Sequence, residues 1–136
     1  MLQKIKRIAA TKTVDGRPML EDPIWRAKIA KLEMRFRAHL MVSYRALADQ
    51  QKGKMPGPES SILKLVGTKL IQEMTELAME VMGENSLTWY NEGVSMPIEE
   101  SIGPHFCYER AATIYGGSNE IQRNVIAKMI LQLPSS

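Results

Sequence analysis

The 136 residues carry 18 basic and 15 acidic side chains, a net charge of +3 and a pI of 9.1, with 44% of positions apolar. That size suits one domain with its own core, so residues 1–136 are read as one unit. The bases alternate with acids along the predicted helices, which reads as solvated faces and not as a nucleic-acid patch, and no apolar run reaches the length of a membrane span.

Leu2, Ile5, Ile8 and Ala9 share one face of a helix over 2–10, with Lys4, Lys6 and Arg7 around it. The chain opens inside a helical pattern, as the tail of a longer helix or a short native helix would. Leu2 and Ile5 are therefore expected to lack full cover. The lysines are not followed by the continuous apolar stretch of a signal peptide. Asp15 and Gly16 form a strong turn dipeptide, and Pro18 blocks helix.

Asp22 is a good N-cap for a second helix, and Pro23 suits the first helical position, where its missing N–H costs nothing. Trp25, Ile29, Leu32, Phe36, Leu40 and Leu47 make a stripe at helical spacing. This long helix should reach about Gln51, where the glycines and prolines of 52–58 end it. A third helix from about Glu59 to Met82 carries Ile62, Leu65, Val66, Leu70, Met74, Leu77, Ala78 and Val81 on its apolar face. Gly83 suits the residue after its last turn. Gly67, inside it, costs about 1 kcal/mol against alanine and suggests close approach of a neighbouring helix.

Residues 84–97 are the least regular, and Trp89 and Tyr90 read there as anchors for a loop. A short helix over 98–102 should stop at Gly103 and Pro104, and another should span 106–113. Gly116 and Gly117 then break the chain. Ser118 reads as the N-cap of the last helix, with Glu120 in its first turn, where the helix dipole favours negative charge. That helix carries Ile121, Val125, Ile126, Met129 and Ile130, ends near Leu131, and is closed by Pro134. No period of two and no hairpin dipeptide between β-branched runs is found. The expected class is all-α: an antiparallel, up-and-down bundle of four-helix type with its first helix truncated.

The chemistry-bearing residues are few. Cys107 is the only cysteine, so no internal disulfide can form, and a reducing compartment is expected. His105 lies two residues away, but nothing supplies an orienting partner, so a buried, inert thiol is the simpler reading. Neither His39 nor His105 follows a Glu by three residues, which argues against a bundle-core di-metal centre; no metal site is expected. The bare backbone at Gly116 and Gly117 remains, where N–H groups can approach a ligand closely.

The run Ile-Tyr-Gly-Gly-Ser-Asn-Glu-Ile-Gln-Arg-Asn at 114–124, continued by Val-Ile-Ala-Lys at 125–128 and Leu-Pro at 133–134, resembles the C-terminal signature of acyl-CoA dehydrogenases. Residues 15–18, 21–23, 56–64 and 79–83 resemble other segments of that family's C-terminal helical domain, in the same order. The family's N-terminal helical domain and middle β-domain have no counterpart in these residues.

The resemblance implies an FAD-dependent oxidoreductase that desaturates an acyl-CoA thioester between Cα and Cβ. It implies that electrons pass to an electron-transfer flavoprotein, that the enzyme is oligomeric, and that it is cytoplasmic, or in the mitochondrial matrix if the source is eukaryotic. It places Tyr115 and Gly116 at the acyl-thioester, and Glu80, Val81, Met82, Gly83, Ser118, Asn119 and Glu120 at FAD. Its departures matter. One branch of the family carries the catalytic carboxylate where Gly116 stands, and other branches carry it on the preceding long helix, to which residues 1–10 correspond without an Asp or Glu. Lys12 and Pro23 stand near the positions of a usual Arg and Gln that touch FAD. The chain is expected to contribute positioning and assembly, to lack a catalytic residue, to be inactive alone, and to retain FAD only with the missing domains. The rival expectation is a non-catalytic assembly module or an inactive split subunit.

Overall fold

The computed structural model describes residues 1–87, 89 and 102–134. Its helices are α1 (Leu2–Thr11), α2 (Pro23–Gln51), α3 (Glu59–Met82), α4 (Ile102–Glu109) and α5 (Asn119–Val125), and they form an all-α bundle. Short 3₁₀ turns follow α3 (Gly83–Leu87) and α4 (Arg110–Thr113), and a π turn (Ile126–Ile130) continues α5. The expected helix over 98–102 and Tyr90 lie outside the described residues, apart from Ile102.

Helix α3 is the hub and touches each of the other four helices. Its second half supplies Leu70, Met74, Leu77, Ala78 and Val81 to the core, which Ile5 and Ala9 of α1, Ile29 and Leu32 of α2, Met19 and Ile102 complete. Polar bonds fix the same layers. Lys6 of α1 reaches Glu33 of α2 at 2.5 Å, Lys28 of α2 reaches Glu80 of α3 at 2.5 Å, and Arg35 pairs with Glu73.

The helix starts follow their capping chemistry. Asp22 accepts from the Ile24 and Trp25 N–H groups at 2.9 and 3.0 Å, with Pro23 at the first position. Gly67 lies under His39 of α2: a methyl added there would sit 3.1 Å from the imidazole Nε2, so the glycine does permit the close α2–α3 approach.

Five expectations are corrected. Thr13–Val14 and Arg17–Pro18 pair as an antiparallel hairpin, β1 and β2. Asp15 (φ 49°) and Gly16 (φ 76°) give it the doubly left-handed turn that matches strand twist; two-residue strands are too short to show a period. Gly103 and Pro104 do not stop a helix but sit buried in the first turn of α4, where proline lacks only a bond that no residue would make. The last helix does not stay α-helical to Leu131 but changes to the π turn at Ile126. Leu2 and Ile5 are covered, at 8% and 0% exposure, because α3 and Met19 close over α1. Cys107 is exposed, since α4 turns its Ile102 end to the core.

Candidate functional site

The site is built on the turn between the 3₁₀ segment and α5. The chain reaches it under tight control. Arg110 is held by Glu76 (2.7 Å), the Thr75 hydroxyl (3.0 Å) and the Gln72 carbonyl (3.2 Å) of α3, and its guanidinium lies 4.4 Å from the centre of the Phe106 ring. The Gln72 amide returns the contact, donating to the Glu109 and Arg110 carbonyls at 3.1 and 3.4 Å. The segment entering the turn is thus stapled to α3 by a polar knot that leaves few loose carbonyls.

Beyond the knot the backbone turns left-handed twice, at Gly116 (φ 66°) and Gly117 (φ 89°). L side chains rarely adopt these angles, so the two glycines are required by conformation. Nothing lies within 4 Å of where a Gly116 side chain would begin, so this face of the turn is open. Among the described residues the Gly116 N–H makes no hydrogen bond. The carbonyls are engaged instead. Gln122 Nε2 donates to Gly116 and Gly117 at 3.3 and 3.5 Å, and Lys64 Nζ of α3 donates to Gly117 at 2.5 Å.

Ser118 caps α5 as expected, its hydroxyl accepting from the Ile121 N–H at 3.5 Å. Its neighbour Asn119 has a buried side-chain oxygen with no donor among the described residues. The Glu120 carboxyl is held below the usual carboxylate range by its own backbone N–H, then by the Ser118 hydroxyl. It stays ionised at neutral pH and is no proton acceptor of raised affinity. Tyr115 is exposed beside the glycines.

The structure therefore brings Tyr115, Gly116, Ser118, Asn119 and Glu120 together at one turn. It does not bring Glu80, Val81, Met82 and Gly83 to them. Lys64, which touches the turn, precedes Glu80 on α3 by about 24 Å of helix at 1.5 Å per residue. Two separate surfaces of this chain are involved. At the second one, Val81 is only 2% exposed and faces the core, and Glu80 is committed to Lys28, itself 4.8 Å from the centre of the Trp25 ring. Gly83 ends α3 at φ 66° with open space where a side chain would stand. Sequence reasoning missed Lys64, Gln122 and Arg110. Gln122 carried a local signal, a side-chain donor one turn after two glycines. Lys64 and Arg110 find their partners across 53 and about 35 residues, which no local pattern encodes.

No carboxylate stands at Gly116, and α1 contains no acid. Among the described residues no group of His, Cys, Asp and Glu could hold a metal ion, and no helix is long and apolar enough to cross a membrane.

Comparison with known proteins gives one consistent result. Residues 1–131 match the family model described as "Acyl-CoA dehydrogenase, C-terminal domain". The chain is 37% identical over 117 residues to acyl-CoA dehydrogenase IpdE1 of Mycobacterium tuberculosis, covering 84% of this chain but 28% of that protein. Among solved structures it superposes on the ChsE4-ChsE5 complex of M. tuberculosis with a TM-score of 0.81 and 24% identity, over 99% of this chain and 35% of that one. Butyryl-CoA dehydrogenase of Megasphaera elsdenii follows at TM-score 0.80 and 22% identity, over 96% of this chain and 32% of that one. The chain thus spans about a third or less of each relative it matches.

Proposed function

Because the chain belongs to the acyl-CoA dehydrogenase family and matches its C-terminal domain, we propose that it serves as that domain of an FAD-dependent acyl-CoA dehydrogenase, as a fragment or as a separate subunit. Its task is to hold the acyl-thioester and part of the flavin and to assemble the enzyme. The observation that carries this reading is the glycine turn: an open left-handed backbone with a Gly116 N–H unbonded among the described residues and an exposed Tyr115 beside it.

A donor aimed at a thioester carbonyl stabilises the negative charge that grows on that oxygen when the α-proton leaves. Gly116 keeps the N–H and lacks any side chain that would block it. Tyr115 walls the acyl side. The flavin, when bound, supplies the acceptor for the hydride from Cβ. The orphaned Asn119 oxygen fits the first FAD surface, since it awaits a donor next to the Ser118 hydroxyl and Glu120. The fit at the second surface is partial: Gly83 leaves the backbone approachable and Met82 is half-buried, while Val81 offers no side chain and Glu80 is already paired.

The general base comes from outside residues 1–136, as do the N-terminal and β-domains, in cis or in trans. Lacking a base costs roughly two to four orders of magnitude, and lacking the bound flavin removes the reaction. An electron-transfer flavoprotein takes the electrons, and the exposed apolar side chains of α2 serve assembly into an oligomer, in a compartment that is cytoplasmic or, in a eukaryote, the mitochondrial matrix.

The test is co-expression with the two missing domains, followed by acyl-CoA oxidation with a dye acceptor. Turnover by the complex and none by the 136-residue chain is expected. Turnover by the chain alone, or acyl-CoA binding to the complex that ignores substitutions throughout Tyr115–Ser118, overturns the reading. A second reading, a non-catalytic assembly subunit, is favoured by Gly116 itself, where a family base is missing. A stable complex that binds FAD yet oxidises no acyl-CoA would select it.

A further inference from the structure

The glycine turn poses a problem that its own residues do not solve. Two adjacent glycines at φ 66° and 89° have access to much of backbone space, so the peptide groups between Tyr115 and Ser118 can reorient at little steric cost. A donor that must meet a developing negative charge is effective only if its orientation is fixed beforehand. Something outside the turn has to fix it.

We propose that Lys64 is the positioning residue of this turn, its ammonium holding the Gly117 carbonyl so that the Gly116 N–H keeps one orientation toward the ligand oxygen. The inference rests on the reading of the turn as a thioester site. Its geometry is independent of that reading. Lys64 stands on α3, the hub of the bundle, and donates to the Gly117 oxygen at 2.5 Å across 53 residues of sequence. The lysine thus ties the turn to the helix whose later residues, Leu70 to Val81, pack in the core.

Gln122 completes the hold from the other side, donating to the Gly116 and Gly117 carbonyls at 3.3 and 3.5 Å. These are longer, neutral bonds, whereas the lysine bond is charge-assisted and short, so it carries the larger share. Two consecutive peptides, 116–117 and 117–118, are thereby constrained, and the 115–116 peptide that carries the Gly116 N–H is bracketed between them and the Tyr115 N–H, which donates to the Ala111 carbonyl at 3.1 Å. With the carbonyls of Gly116 and Gly117 drawn to α3 and α5, rotation of the 116–117 or 117–118 peptide breaks a bond to Gln122 or Lys64. The charge has a second effect. Lys64 also acts on the Glu120 carboxylate, adding to the groups that keep it ionised.

The test compares Lys64→Met, which keeps the stem and loses the donor, with Lys64→Arg, which restores a cationic donor. Backbone amide nitrogen relaxation is read residue by residue on the ligand-free 136-residue chain. In Lys64→Met, the order parameters of Gly116, Gly117 and Ser118 should fall from the rigid range of about 0.85 to below about 0.6, while core amides such as those of Leu70 and Val81 keep parental values. Lys64→Arg should return the turn to the rigid range. Unchanged order parameters at the turn in Lys64→Met overturn the proposal. So does a fall shared equally by the core, which shows a general structural role, or a failure of arginine to rescue. Should arginine prove too long for the site, Gln122→Leu gives the second reading: added to Lys64→Met it should loosen the turn further, and a turn loosened by Gln122→Leu alone as much as by Lys64→Met also overturns the assignment. The lock is read without ligand and the thioester reading from the reconstituted complex, so each can fail by itself.

Discussion

The two ends of α2 have the same kind of sequence and different fates. Near its start, Ile29 and Leu32 are buried against α1 and α3; near its end, Leu47 lies on the same stripe and is 54% exposed, with Met41, Val42 and Tyr44 exposed beside it. The cause is length. Helix α2 has 29 residues, about 44 Å, and α1 has 10, about 15 Å. A stripe tells which face can be buried; only a neighbour long enough to lie along it buries that face. The glycine turn belongs with the uncovered end. It is held by Lys64 and Gln122 rather than by apolar burial, and Tyr115 beside it stays exposed.

The largest effect expected is at the covered end. Leu70→Ala, from a side chain buried at the α3 core, should cost about 2–5 kcal/mol in a denaturant melt. A cost below about 1 kcal/mol would erase the distinction between the two ends. At the turn, Gly116→Glu should cost about 1–2 kcal/mol, since a non-glycine residue must take φ 66° there, although the space around it is open. The same melt checks it: a neutral substitution would show that the turn relaxes to another conformation.

A smaller effect is expected on lowering pH. Lys6, then Arg37, hold the Glu33 carboxyl below its ordinary value of 4.5. The pair therefore stabilises α1 on α2 fully above that value, and the contribution is lost as pH falls through the lower folded value. Glu33→Gln should flatten stability between about pH 5 and pH 3 relative to the parent; parallel curves would exclude the pair from acid sensitivity. Smallest on stability is Leu47→Gln, within about 0.5 kcal/mol at so exposed a site. Its effect should appear in sedimentation, where the parent is expected to self-associate through uncovered apolar surface and the variant to do so less. Equal association would place the contact elsewhere, for instance at the exposed Met129 and Leu131.

Much of the fold was legible residue by residue. Asp22 with Pro23 marked the start of α2, Ser118 that of α5 and Gly83 the end of α3, because caps satisfy backbone groups within one turn of themselves. The glycine turn was legible as a motif, through the unbroken run at 114–124, and the φ of 66° at Gly116 gives that glycine its physical reason. Pro104 was misread because a proline in the first turn of a helix and one that ends a helix look alike without knowing where the helix begins. Cys107 and Leu2 were misjudged because their exposure depends on which neighbour covers them.

What the sequence determined by itself is the all-α class, the helix boundaries set by caps and breakers, and the family motif with glycine where a base would stand. These rest on interactions a few residues long. The tertiary structure alone decided which part of each stripe is buried, that the Glu80–Gly83 surface lies far along α3 from the Tyr115–Glu120 turn, and that Lys64, Gln72 and Arg110 hold that turn in place. Those outcomes depend on helix lengths and on partners distant in sequence, brought together only when the chain closes around α3.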